Sequence, residues 1–466
     1  MSAVNDRLLP ILLPVVCRFL TPAGSLPPPN QDVKRTLSKV CKKWRRIVTS
    51  NASLWADIRL APGRFQHPEH LLSLFQQSVE LSQGRPLSLH MFHNLHCSFS
   101  PNTTVKDLLY GGGEFNVLQA ITLPEAISTR LVSLTSLLCG DDILEFLRLP
   151  SSTFPVLQRV EISFIHTLAV RQSPFTWDPI SCLDFSVFED HTTLTEATFH
   201  IFNCIHPLDL KLPWGRLTKL NLASAPMPPW IFLTIMNRAS PSLIDGAFNV
   251  KFVQARHRAL LPKLIETMVP VLKRLRLVLV DPVISPKFFG LLMAPALEKL
   301  KLEVFDSKTI GWELGLFTPL LKPTSASLRH LEFKNFCLMR GPDAPIPKAR
   351  RTSYSELEAI LDAVPRLEVL RLAPDVDVHL PTLEKVASGR LVPRLEVLEL
   401  FTAAPDVVLW MVRQRALEVG TSQRPGSGSR RLSQVDLWVR IEEVPEVVEN
   451  VRVAGLSELV LVRGLA

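Results

Sequence analysis

Leu395-Glu396-Val397-Leu398-Glu399-Leu400 is one of eight clear copies of a six-residue pattern, apolar-x-x-apolar-x-apolar. The others are Leu217 to Leu222, Leu272 to Leu277, Leu297 to Leu302, Leu328 to Phe333, Leu367 to Leu372, Leu432 to Leu437 and Leu456 to Leu461. Looser copies begin at Leu118, Leu157 and Leu194, and a doubtful one at Leu243. Side chains alternate along a strand, so the apolar positions of each copy point inward, and stacked copies pair their strands into one parallel sheet over a shared core. Each buried leucine contributes about 1.5 to 3 kcal/mol before chain entropy is set against it.

The interval between copies runs from 23 residues (Leu194 to Leu217) to 39 (Leu328 to Leu367). Between them lie helix-like stretches such as Tyr354 to Leu361, so the expected class is α/β. The asparagine that regular leucine-rich repeats place after the strand is missing, and the expected architecture is an irregular leucine-rich-repeat solenoid with a parallel sheet. A compact α/β domain with chance leucine spacing is the competing reading, and the number of copies speaks against it.

The chain has 466 residues, 38 prolines spread throughout, 47 % hydrophobic residues and a formal charge of +8. The prolines indicate many short elements and many turns. The charge is concentrated in one early helix, so a chain-wide nucleic-acid footprint is not expected. Seven cysteines without a CxxC pair fit reduced thiols and a cytoplasmic or nuclear location. Leu8 to Cys17 is too short for a membrane span and has poor signal-peptide flanks, so no membrane association is expected.

Near the start, Leu9, Leu12, Leu13, Val16 and Leu20 fall at helical spacing, with Pro10 suited to a first helical turn. A second helix carries Leu37, Val40, Cys41, Trp44, Ile47 and Val48 on one face and seven basic residues between Lys34 and Arg46 on the other. Leu54 to Leu60 closes the unit. The basic residues read as a solvated face, against the alternatives of a nuclear-localisation or nucleic-acid patch and a calmodulin-target-like helix.

The run Val40-Cys41-Lys42-Lys43-Trp44-Arg45-Arg46-Ile47, followed by Leu54-Trp55 and preceded by Leu8-Leu9-Pro10 and Leu12-Leu13, resembles the F-box of fungal F-box proteins. Leu212 to Thr218 and Gly84 to Leu89 are similar to stretches that follow it in that family. The chain departs from the family at Leu9, where a proline is common, and at Ile11, where an acidic residue is common. The resemblance implies a surface for the Skp-type adaptor of a cullin-RING (SCF) ubiquitin ligase, formed by Leu9, Pro10, Leu13, Val16, Val40, Trp44, Leu54 and Trp55. The alternative is a hairpin whose apolar stripe packs on its own chain.

The expected organisation is therefore a short all-helical F-box-like segment (1–62), a connecting segment and solenoid cap (63–115) and the solenoid (116–466). No active site, metal or cofactor is expected. His90, His93, His96 and Cys97 do not converge in a strand, and Gly111-Gly112-Gly113 lacks the lysine and hydroxyl of a phosphate loop. Residues 421–431 read as a mobile insertion between two repeats. The expected function is client recognition for an SCF-type ligase, with a non-ligase scaffold as the alternative. Outward positions of the sheet, Lys219, Arg274, Arg276, Lys299 and Lys301, form a basic middle expected to capture an acidic or phosphorylated client, with Phe401 or Trp438 as an apolar anchor. On this reading, replacing Arg274, Arg276 and Lys301 with Glu abolishes capture without unfolding the array.

Overall fold

The computed structural model describes residues 33–60, 68–91, 125–138, 140–164, 185–200, 205–252, 265–280, 286–305, 312–335, 354–374, 376, 378–402, 404–421 and 430–465. The copy at Leu118, the triple glycine, and Leu9, Pro10, Leu13 and Val16 lie outside these residues. The chain divides into two compact units, Met1–Pro213 and Trp214–Ala466. Both are α/β, and the described strand ladders are all parallel.

The first unit begins with helices Val33–Val40 and Lys42–Ser50. The single helix expected through Leu37 and Val48 is broken at Cys41, whose backbone is extended (φ −161°, ψ 169°). The break is stitched locally: Arg45 N–H donates to the Cys41 carbonyl at 3.0 Å, and Arg45 Nε to the Ser38 carbonyl at 3.1 Å. The segment is also not all helical. Its alternating end forms strand β1 (Asp57–Leu60), with Ile58 buried and Asp57 and Arg59 outward. β1 pairs with β2 (Leu87–Met91), followed by β3 (Leu131–Leu138), β4 (Arg159–Phe164) and β5 (Glu196–His200). Repeated strands therefore start well before residue 116. Ile58, Leu89, Leu134, Val160 and Ala197 stand in register as one inward row. The next row runs Met91, Ser136, Ile162 and Phe199, and its serine hid this copy from the apolar pattern.

The second unit carries, in chain order, β6 (Lys219–Met227), β7 (Asp245–Lys251), β8 (Thr267–Met268), β9 (Arg274–Val280), β10 (Leu292–Met293), β11 (Lys299–Phe305), β12 (His330–Asn335), β13 (Val369–Arg371), β14 (Val397–Phe401), β15 (Gln434–Arg440) and β16 (Val460–Leu465). β8 and β10 form a separate two-stranded ladder, and the other nine pair in sequence order. Seven of the eight clear copies are strands of this sheet with all three pattern residues buried. The doubtful copy at Leu243 is also real. Gly246 occupies its middle inward place because a Cβ there would lie 2.7 Å from the Phe248 ring.

The last copy is shifted by one residue. Val460 and Val462 align with inward Val435 and Leu437, while Leu461 aligns with Asp436 and is 48 % exposed. Leu459-Val460-Leu461-Val462 is apolar at every position, so either alternation supplies two inward side chains and the pattern alone does not choose.

A second regularity joins the repeats at the start of each strand. One carbonyl accepts two successive N–H groups from the next copy: Thr218 from Ile244 and Asp245, Lys273 from Glu298 and Lys299, Glu368 from Glu396 and Val397. A hydroxyl before the first leucine adds to this. Ser242 donates to the Leu217 carbonyl at 2.9 Å, Ser327 to Leu297 at 2.9 Å and, in the first unit, Thr193 to Leu157 at 2.8 Å. These bonds satisfy backbone carbonyls that buried turns would otherwise leave unpaired. The helices cover the inward face: Leu357 and Leu361 of helix Tyr354–Ala363 and Leu383 and Val386 of helix Leu380–Ala387 surround one narrow apolar gap with Leu370, Leu398 and Leu400.

Candidate interaction surfaces

Among the described side chains of the N-terminal helices, Val40 is the large apolar residue that faces outward. Val40 is 60 % exposed, beside exposed Lys39, Cys41, Lys42 and Lys43. Trp44 is half-buried and, with Leu37, Ile47 and Leu81, packs against a core of Val48, Leu54 and Trp55. Leu54 and Trp55 are interior, and Trp55 Nε1 donates to the Val48 carbonyl at 2.9 Å. Of the adaptor residues expected from sequence, Val40 is thus at the surface, Trp44 is shared between surface and core, and Leu54 and Trp55 shape the helices from inside.

In the second unit, alternation places charged residues on the face opposite the buried leucines, in rows fixed by register. One row reads Lys219, Asp245, Arg274, Lys299, His330. The next reads Asn221, Ala247, Arg276, Lys301, Glu332, Arg371, Glu399, Asp436. Glu303 and Lys334 stand side by side one row further.

Sequence reasoning saw the cations and missed what they hold. Glu303 has no exposed surface and Glu332 is 3 % exposed, although both lie on the outward side. Arg276 Nη2 lies 2.7 Å from Glu303 Oε2, and Lys301 Nζ 2.6 Å from Glu303 Oε1. Glu332 is ringed by Lys334 at 3.0 Å, His330 at 3.5 Å, Lys301 at 3.6 Å and Arg371 at 3.9 Å. Burial pushes the Glu332 carboxyl up; hydrogen bonds from His330 and Lys334, with the charges of Lys301 and Lys334, outweigh it and hold the group well below the usual carboxylate range.

Arg276 and Lys301 are therefore internal counter-ions. Reversing them to Glu would set like charges against a buried carboxylate, so the triple Glu replacement disrupts the sheet face and does not isolate capture. Lys219 and Arg274 are exposed and Lys299 is partly so; Arg274 Nε pairs with Asp245 at 3.0 Å.

Phe401 and Trp438 are cross-strand neighbours, both half-buried. Trp438 Nε1 donates to Glu399 Oε1 at 3.0 Å, and the Arg463 guanidinium lies 5.4 Å from its ring centre while reaching Asp436 at 3.4 Å. Trp438 is thus held by Glu399 and Arg463, and Phe401 stands beside it on the neighbouring strand.

His90 sits outward on β2 near Asp57 at 3.5 Å, and its pKa is lowered mainly by burial. His93, His96 and Cys97 lie outside the described residues, among which no group of three or more His, Cys, Asp or Glu could hold a metal ion. Among them too, no helix is long and apolar enough to cross a membrane. Compared with protein-family models and with curated proteins, the chain matches none.

Proposed function

We propose that the chain is the substrate-recognition subunit of an SCF-type ubiquitin ligase acting in the cytoplasm or nucleus. On this reading the N-terminal helices bind the Skp-type adaptor, and an irregular leucine-rich-repeat solenoid holds a client protein. The observation that carries it is the division of labour within each repeated strand. Leucines at the inward places are buried, while the outward places form registered rows of charged and aromatic side chains. Such a face serves recognition, and the resemblance of the Val40 to Trp55 stretch to an F-box supplies the link to an adaptor. Other subunits would carry out ligation; this one would raise the effective concentration of client near them.

Exposed Val40 makes the test clean. Val40→Asp alters an outward position and is expected to leave stability within about 0.5 kcal/mol. Co-purification with the host's Skp-type adaptor should give a one-to-one complex for wild type and none for Val40→Asp. A folded wild-type chain that captures no adaptor would overturn the reading.

The second reading, a scaffold whose helical hairpin only caps the repeats, is favoured by one observation: Leu37, Trp44 and Ile47 pack against the chain's own Val48, Leu54 and Trp55. Trp44→Ala consequently probes folding as well as binding, at a cost of about 3 kcal/mol where the ring is packed.

A further inference from the structure

The two adjacent cation pairs of the second unit's outward face are treated differently by the fold. Arg276 and Lys301 are direct cross-strand neighbours, and so are Arg274 and Lys299. Like charges directly opposite one another destabilise a sheet. Arg276 and Lys301 are relieved by Glu303, buried on the same face between them. Arg274 and Lys299 have no equivalent. Asp245 neutralises Arg274 from one side, and among the described residues neither Lys299 nor Lys219 has a carboxylate within ion-pairing distance. Lys273, on the turn just before this row, is already paired with Glu298 at 3.2 Å. On the other side of Lys299 stands His330, which is engaged with Glu332.

We propose that Lys219, Arg274 and Lys299 form a binding site for a phosphorylated side chain in an extended client segment. The proposal rests on the reading of this face as a client surface. Charge balance selects the ligand. Three cations and one carboxylate leave two positive charges on four neighbouring strands, and a phosphomonoester carries about −1.5 to −2 at neutral pH. A carboxylate side chain would leave half of that charge unmatched, and the site already contains one in Asp245. Geometry agrees with a compact anion held by several donors. Strands repeat at about 4.8 Å, so Arg274 and Lys299 flank one oxygen group directly while Lys219, roughly 10 Å from Arg274 across Asp245, reaches in with its flexible stem. Arg274 is exposed and meets Asp245 through Nε at 3.0 Å, and a guanidinium carries further N–H donors whose planar arrangement suits phosphate oxygens.

The test uses the full chain and three fluorescein-labelled pools of random decapeptides, with phosphoserine, serine or glutamate fixed at the centre. Fluorescence anisotropy should show the phosphoserine pool binding at least tenfold more tightly than either of the others, with affinity falling as salt rises. Lys219→Ala with Lys299→Ala should remove at least tenfold of that affinity and leave the near-UV circular dichroism unchanged, because neither lysine supports a described ion pair. Equal binding of the phosphoserine and glutamate pools, or undiminished binding by the double variant, would overturn the site. The adaptor plays no part in this assay. Phosphopeptide capture by a chain that binds no adaptor would sink the ligase reading alone, and an adaptor complex with no phosphopeptide capture would sink this one alone.

Discussion

Glu332 shows how a single outward residue can behave as an interior one. Its side chain is 3 % exposed beneath Lys301, Lys334, His330 and Arg371, and they keep it ionised against the cost of burial. Its folded pKa lies below the ordinary value of 4.5. A carboxyl depressed in the folded state contributes stability that is fully present above the unfolded value and is lost as pH falls toward and through the folded one. Glu332→Gln should therefore cost about 3 kcal/mol at neutral pH, because the surrounding cations lose their shared counter-ion. It should also flatten the decline in stability below the ordinary carboxylate pKa. Urea midpoints followed from about pH 6 to about pH 3 test both parts, and parallel declines for wild type and variant would show that Glu332 is not held ionised.

At the scale of elements, Arg415 ties together segments that the sheet does not. It lies on helix Pro405–Thr421 with 1 % of its surface exposed, and burial pushes its pKa down to about 10, leaving it charged at neutral pH. Its guanidinium donates to the carbonyls of Val386 at 2.5 Å, Val392 at 3.1 Å, Pro393 at 2.9 Å and Leu395 at 3.2 Å, and Nε donates to Arg430 at 3.1 Å. One of these carbonyls belongs to Val392, whose φ of +40° is strained for a β-branched residue. Arg415→Met keeps the volume and strands the carbonyls, so it should cost about 3 to 5 kcal/mol in urea unfolding. Arg415→Lys should recover little, since an ammonium cannot reproduce the planar fork. A loss under about 1 kcal/mol for Met would mean that water replaces the guanidinium at no cost.

The same elements show what the sequence made legible. Leucine spacing exposed seven strands of the second unit with their inward residues because inward positions are set locally, within six residues. The strand Leu131–Leu138 was not visible, since Ser136 stands at an inward place. Cation positions on the outward face could be read, but their partners could not. Lys301 and Glu303 share a strand, yet Arg276 reaches Glu303 across an interval of 27 residues, and only the strand register brings them together. Arg415 did leave a trace: it falls four residues after Met411 on the stripe of Val408, Met411 and Val412, where the helical period expects an apolar side chain. The break at Cys41 left none, because the apolar stripe runs through it.

Across the whole molecule, each compact unit has its own run of packed aromatic rings. In the first, Phe188 lies 6.0 Å from Phe146 and 5.7 Å from Phe199, ring centre to ring centre. In the second, Phe288 contacts Phe232 at 5.6 Å, Phe252 at 5.2 Å and Phe289 at 5.0 Å, and the run continues through Phe317 to Phe333 and Trp312. All these phenylalanines except Phe252, itself 6 % exposed, are at most 1 % exposed. Stability in a repeated architecture is carried by nearest-neighbour packing, so damage to one stretch spreads only as far as the coupling between neighbours reaches. Phe188→Ala and Phe288→Ala should each cost about 3 to 5 kcal/mol, and each should lower the melting of its own unit. Hydrogen exchange followed residue by residue makes the distinction: Phe188→Ala should accelerate exchange in β3 to β5 and leave β11 to β15 near wild type, and Phe288→Ala should do the reverse. Equal acceleration in both regions by either variant would mean that the two units unfold as one cooperative body, and the division into two cores would have no energetic counterpart.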